Sequence, residues 1–226
     1  MQLEEFDHRA GQADGVRLTA NVTDTYVATE ISKFEQADIP DMSATQPDSL
    51  HWISNYILNS VLCGALPSPQ REYRFNLLRH GMIAYSEHNM ARYATLAFLE
   101  SDERSFGRYF TAIHHWEQFL TSAWHALDTL QRAGVVGRLY EPGDGSIAEQ
   151  LHGLYGQMKD TEARIETGDM PPQGSLAVWL CNSGLRSIDC ELTFAETGEL
   201  LARIHDWADV VEDPSQGRPY DWAQPD

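Results

Sequence analysis

The stretch Phe106-Gly-Arg-Tyr109-Phe-Thr-Ala-Ile113-His-His-Trp116-Glu-Gln-Phe-Leu120-Thr-Ser-Ala123-Trp-His-Ala-Leu127-Asp-Thr-Leu130 decides the fold. Phe106, Tyr109, Ile113, Trp116, Leu120, Ala123, Leu127 and Leu130 recur at steps of three and four, which places them on one face of a long helix. Gly134 and Gly137 stop it. Upstream, Pro69 suits a first helical turn, and Gly81 is the sole Gly or Pro from there to Ser101. Phe75, Leu78, Met82, Tyr85, Tyr93, Leu96 and Leu99 predict the partner face of a second long helix. The connection at Ser101 to Glu103 is too short for anything but an antiparallel hairpin. The expected fold class is therefore all-α, an antiparallel helical bundle around a hairpin from Pro69 to Ala133.

Outward from the hairpin, Pro47, Asp48 and Ser49 open a shorter helix with Leu50, Ile53, Ile57 and Val61 on its face, ended by Gly64 and Pro67. Residues 1–46 read as an irregular arm, whose Val16 to Ile31 stretch predicts a short hairpin or a loose segment. Ser146 caps a fourth helix with Ile147, Leu151, Leu154, Met158 and Ile165, running to Gly168. The period then changes. Leu176 to Leu180 and Leu185 to Leu192 predict a small β-hairpin, followed by the capping-box spacing of Thr193 and Glu196 and a last helix through Phe194, Leu201, Ile204, Ala208 and Val211. Residues 47–213 make the bundle domain and residues 214–226 a tail, which Tyr220 and Trp222 could dock.

Composition narrows the function. A hydrophobic share of 42% over 226 residues supplies a sizeable core. The formal charge of −18 opposes phosphate and anionic lipid, so nucleic acid and membrane are not the expected partners. The opening residues lack a basic start and an apolar run, and no stretch is long enough for a bilayer span, which predicts a cytoplasmic chain. Cys63, Cys181 and Cys190 fit neither a disulfide framework nor a metal motif and read as small buried hydrophobes.

The nine histidines invite a search for metal ligands. Glu149 and His152 have ExxH spacing, but a di-iron bundle needs two such pairs and further carboxylates. His114, His115, Glu117, His125 and Asp128 line the third helix, where carboxylate-paired histidines are the simpler reading. No cofactor and no metal is expected. Asn89 falls in the seam of the second helix, unless a small rotation buries Met90 instead. Six arginines of the hairpin (71, 74, 79, 92, 104 and 108) read as salt-bridge partners of the abundant carboxylates before they read as an anion site. Gly-rich phosphate loops, the nucleophile elbow and HExxH are absent from the sequence.

Val178-Trp179-Leu180-Cys181-Asn182-Ser183-Gly184-Leu185 and Leu192-Thr193-Phe194-Ala195-Glu196, behind a hairpin carrying Ala91-Arg92-Tyr93 and Arg108-Tyr109-Phe110, resemble bacterial HEPN-like proteins over about Ser49 to Asp213. The resemblance implies a helical domain that often dimerises and occurs in toxin–antitoxin pairs, phage defence and RNA processing. It also implies, for active members, an Arg followed four to six residues on by a His, cleaving RNA without metal. The corresponding place, Leu154-Tyr155-Gly156-Gln157-Met158-Lys159-Asp160, holds neither. An imidazole for proton transfer and a guanidinium at the phosphate would both be missing. The expectation is a motif-degenerate, non-catalytic module acting as a homodimer or on a protein partner. Alternatives are a ribonuclease using Arg108 and His114 across a dimer, since that spacing recurs there and at Arg74 with His80, and an acidic inhibitor of a basic partner.

Overall fold

The computed structural model of the chain describes residues 20–46, 51–64, 66–101, 105–171 and 173–212. The predicted starts at Pro47 to Ser49, most of the Ser101 to Glu103 connection, residues 1–19 and the tail from 214 lie outside the described residues. Among the described residues, seven helices and a small sheet follow one another: α1 (Ala20–Tyr26), a 3-10 turn (Ile31–Lys33), α2 (His51–Cys63), α3 (Gln70–Leu99), α4 (Phe106–Arg132), α5 (Ile147–Lys159), α6 (Thr161–Thr167), β1 (Trp179–Leu180), β2 (Gly184–Arg186), β3 (Glu191–Thr193) and α7 (Phe194–Val211). The helical bundle with a small sheet ahead of its last helix is the expected fold class.

α3 and α4 form the antiparallel hairpin, each about 40 to 45 Å long. Their direction shows in the pairs that meet: His80 with His125, His88 with Trp116, and Phe98 with Tyr109. On α4 the expected face is buried throughout, apart from a partly exposed Phe106. On α3 the expected face is met in part: Leu78 and Tyr85 are buried and Phe75, Met82 and Leu99 are partly buried against the core, but the inward face also takes residues outside that stripe. Leu77, Leu78, Gly81, Ala84, Tyr85, His88, Ala91, Ala94, Thr95 and Phe98 are buried, whereas Tyr93 and Met90 are exposed. Neither Asn89 nor Met90 fills the seam; His88 does, and Asn89 donates to Gln46 Oε1 at 2.6 Å. The reason is volume. Small side chains on α3 make room for Tyr109, Trp116 and Phe119 of α4, so the less apolar stripe is the one that fits.

α5 packs on α4, and α7 closes the bundle against α3, α4 and the sheet. The fourth helix is shorter than expected, because the chain turns at Asp160 and restarts as α6, leaving Ile165 exposed. The expected β-hairpin is a three-stranded antiparallel sheet in the order β1-β2-β3, with Leu185 paired to both Leu180 and Leu192. Ser187 and Cys190 divide the second run: the Ser187 N–H donates to Cys190 O at 2.8 Å, closing a turn between β2 and β3. Thr193 and Glu196 make the complete capping box of α7.

The stretch expected as a hairpin or loose arm is helical at α1 and contributes to the core. Asp24 accepts from both the N–H and the hydroxyl of Ser32, at 2.9 and 2.7 Å, which fixes the turn after α1. Ala28, Ile31, Phe34 and Ile39 are then buried, with Phe34 stacked 6.1 Å from Phe98. Polar clamps hold this segment to the sheet: Asn182 Oδ1 accepts from Glu35 and Gln36 N–H, and Arg186 reaches both Glu191 and Glu30. Of the cysteines, Cys181 is buried and Cys190 partly so, but Cys63 is exposed.

Candidate functional site

Arg108 and His114 are not brought together within the chain. Six residues along one helix place them about 9 Å apart in rise and about 120° apart in azimuth. Arg108 is engaged at the hairpin tip, where Nη1 donates to Ala97 O at 3.0 Å. His114 is exposed beside His115, which pairs with Glu87 at 2.8 Å. Glu117 is held above its ordinary carboxyl range by burial, against the opposing pull of His114. The second spacing, Arg74 with His80, is likewise dispersed. Burial lowers Arg74, and His80 lies 5.2 Å from His125, with its pKa pushed down to about 4 by burial, by His125 and by Arg79.

The other polar residues flagged by sequence support structure. Glu149 accepts from the N–H groups of Gly143 and Gly145, and so closes the loop ahead of α5. His152 bonds the Tyr140 hydroxyl and lies 4.4 Å from Trp124, the two rings tilted by 31°. With His80, His125 and Tyr155 these rings form an aromatic ladder along α4. His125 thus joins His80 and not His114 or Glu117, and among the described residues no group of three metal-ligating side chains forms. Burial raises the Cys190 thiol, which disfavours the reactive thiolate. Lys159 and Asp160, at the place where the family resemblance would put its Arg and His, are exposed at the end of α5.

The feature that sequence periodicity did not find lies on α2. Its expected inner face was Leu50, Ile53, Ile57 and Val61; Leu50 lies outside the described residues, Ile53 is partly buried, and Trp52 and Tyr56 are buried in place of Ile57 and Val61. Both aromatics carry a polar handle that decides the choice. Trp52 Nε1 donates to Asp209 Oδ1 at 2.7 Å, and the Tyr56 hydroxyl donates to Arg71 O at 3.1 Å. Asn55 and Asn59 then donate to the side chain and backbone carbonyl of Glu212. These contacts fix the rotation of α2, and Ile57, Leu58, Val61 and Leu62 are left 52%, 56%, 76% and 72% exposed.

Those four side chains lie about 170° around the helix from Trp52 and Tyr56. A surface helix ordinarily turns polar residues outward, but α2 carries no Asp, Glu, Lys or Arg at all. The outer stripe offers roughly 450 Å² of apolar surface, the size of the largest patch that a monomer commonly carries and often uses in function. Other exposed large hydrophobics, such as Tyr26, Ile165 and Ile188, stand on separate elements. The sequence signal was present as two opposed apolar stripes in an uncharged helix. Among the described residues no helix is long and apolar enough to cross a membrane. No family model, curated protein or solved structure matches the chain.

Proposed function

We propose that this chain is a non-catalytic protein-interaction module of HEPN-like character, with toxin–antitoxin or phage-defence systems as its setting and the cytoplasm as its compartment. The setting and compartment rest on the sequence resemblance and on composition. The observation that carries the reading is the outer stripe of α2, an apolar surface held open by a helix that is anchored on its opposite side. Burying about 450 Å² of apolar surface supplies on the order of 10 kcal/mol of gross driving force, which is set against association costs of similar size.

The competing ribonuclease reading sets Arg108 and His114 across a dimer, since within one chain the two do not meet. Incubation of the purified protein with total RNA tests it, beside an Arg108→Ala/His114→Ala variant. Equal, background-level RNA decay in both samples is expected. Cleavage by the wild type that the double variant loses overturns the module reading.

A further inference from the structure

Going beyond that reading, we propose that the cleft between α2 and α3 is a binding site for a small amphipathic monocarboxylate, its head on Arg79 and its apolar body along Met82 and Ile83.

The cleft holds about 390 Å³, within the range of small-molecule sites. Its walls are apolar: Met82 and Ile83 of α3, Ile53 of α2, and the ring of Tyr85. The Tyr85 hydroxyl is turned away and donates to Leu201 O at 3.2 Å, so the cleft meets the ring and not its polar end. The walls are also fixed before any ligand arrives. Trp52, next to Ile53 in α2, packs edge-on against Tyr85 at 6.1 Å and is held by Asp209 at 2.7 Å. A preformed apolar cleft takes a ligand at little ordering cost.

Charge selects the head group. Arg71, Arg92, Arg108 and Arg132 of the hairpin each bond a carboxylate or a backbone carbonyl. Arg79 is exposed at the cleft and makes no ion pair or hydrogen bond with any described residue. In a chain with 34 acidic side chains against 16 Lys and Arg, a guanidinium left without a carboxylate beside an apolar wall is the exception. No acidic residue lines the cleft among the described residues. A ligand carboxylate supplies the missing partner, as a charge-assisted hydrogen bond or a bidentate pair.

The length of the body follows from the helix. Arg79, Met82, Ile83 and Ser86 stand at i, i+3, i+4 and i+7, one stripe of α3 about 10 Å long. A ligand of roughly ten non-hydrogen atoms, extended along that stripe, reaches from the guanidinium to the Ser86 end. Gln46 closes that end, with its Oε1 accepting from Asn89 at 2.6 Å. The formal −18 opposes an approaching anion, but that field decays over about 8 Å at physiological ionic strength. Apolar burial and the contact with Arg79 then decide, which favours a carboxylate that brings an apolar body over a small inorganic anion.

Calorimetric titration of the full chain with sodium octanoate tests the site. One octanoate per chain is expected, with half-saturation at about 1 mM or below. 1-Octanol, which lacks the charge, and acetate, which lacks the body, should each bind at least about 10-fold more weakly. Arg79→Gln should weaken octanoate by about 10-fold or more while its thermal melt stays that of the wild type, because the guanidinium holds no described residue. Ile83→Trp, confirmed as folded by its melt, should abolish binding by filling the cleft. Leu62→Asp, on the outer stripe of α2, should bind octanoate as the wild type does. Octanoate that fails to saturate in the millimolar range overturns the site, and so does equal affinity for the wild type and Arg79→Gln. Binding lost in Leu62→Asp but kept in Ile83→Trp places the ligand on α2 and overturns it as well. Octanol that binds as tightly as octanoate overturns the carboxylate as the ligand class.

Discussion

His88 Nε2 lies 3.1 Å from Thr197 Oγ1, joining the middle of α3 to the first turn of α7 inside the core. The Thr197 hydroxyl donates its proton to Phe194 O at 2.7 Å, so it accepts from His88, which is therefore the neutral Nε2–H tautomer. The ring is fully buried and meets Trp116 and Phe119 edge-on, each 5.4 Å away. Its Nδ1 has no hydrogen-bond partner among the described residues.

This arrangement makes folding sensitive to acid. Burial, reinforced by the Arg92 guanidinium and opposed by Asn89 and Asp41, lowers the His88 pKa from 6.5 to about 4. The unfolded chain binds the proton first, so this contribution is complete above about pH 6.5 and is lost as pH falls toward 4. The loss amounts to about 3 kcal/mol, with an addition from His80 that solvent screening reduces, since that ring is only half-buried. Urea denaturation at stepped pH should show it, and His88→Gln should flatten the slope between pH 6.5 and 4 while lowering stability at neutral pH. An unchanged slope in that variant would place the acid sensitivity elsewhere.

Trp116 is the largest element of the α3–α4 seam, fully buried, with Nε1 donating to Thr95 Oγ1 at 3.0 Å. Trp116→Ala should cost about 3 to 5 kcal/mol through the cavity it leaves. Chemical denaturation measures this directly. A loss below about 1 kcal/mol would mean that the face is solvated.

Gly184 carries the tightest backbone approach in the sheet. A Cβ there would stand 2.1 Å from Leu192 O and 2.6 Å from Thr193 Cα, both main-chain atoms that cannot turn aside. Gly184→Ala should therefore cost more than about 3 kcal/mol and disturb the packing of Trp179, read as a change in near-ultraviolet circular dichroism. A variant as stable as the wild type would contradict the β2–β3 register.

Thr193 opens α7 by accepting from Glu196 N–H at 3.2 Å, while Glu196 returns a carboxylate to Thr193 N–H at 2.7 Å. Thr193→Ala should cost about 1 kcal/mol and Thr193→Ser much less, since serine keeps the accepting oxygen. Thermal melts of the pair separate the cap from general packing. Equal losses in both would implicate the threonine methyl.

The sequence by itself determined the elements whose signals are local. The inward face of α4 was legible from Tyr109 to Leu130 because one unbroken apolar stripe had no rival. The start of α7 was legible because Thr193 and Glu196 act within a single turn. The hairpin followed from the length of its connection. Tertiary structure alone decided rotations and occupancies. His88 takes the seam of α3 because its flat ring packs edge-on against Trp116 and Phe119 and Thr197, over a hundred residues away, satisfies its Nε2. The arm joins the core because Phe34 finds Phe98 and Asn182 holds the backbone beside it. On α2, two apolar stripes of similar strength competed, and periodicity cannot choose between equals. Asp209 and Glu212, brought alongside by the last helix, accept the polar atoms of Trp52, Asn55 and Asn59. An unpaired buried polar group costs more than an exposed leucine, so the aromatic stripe turned inward and the aliphatic one was left at the surface.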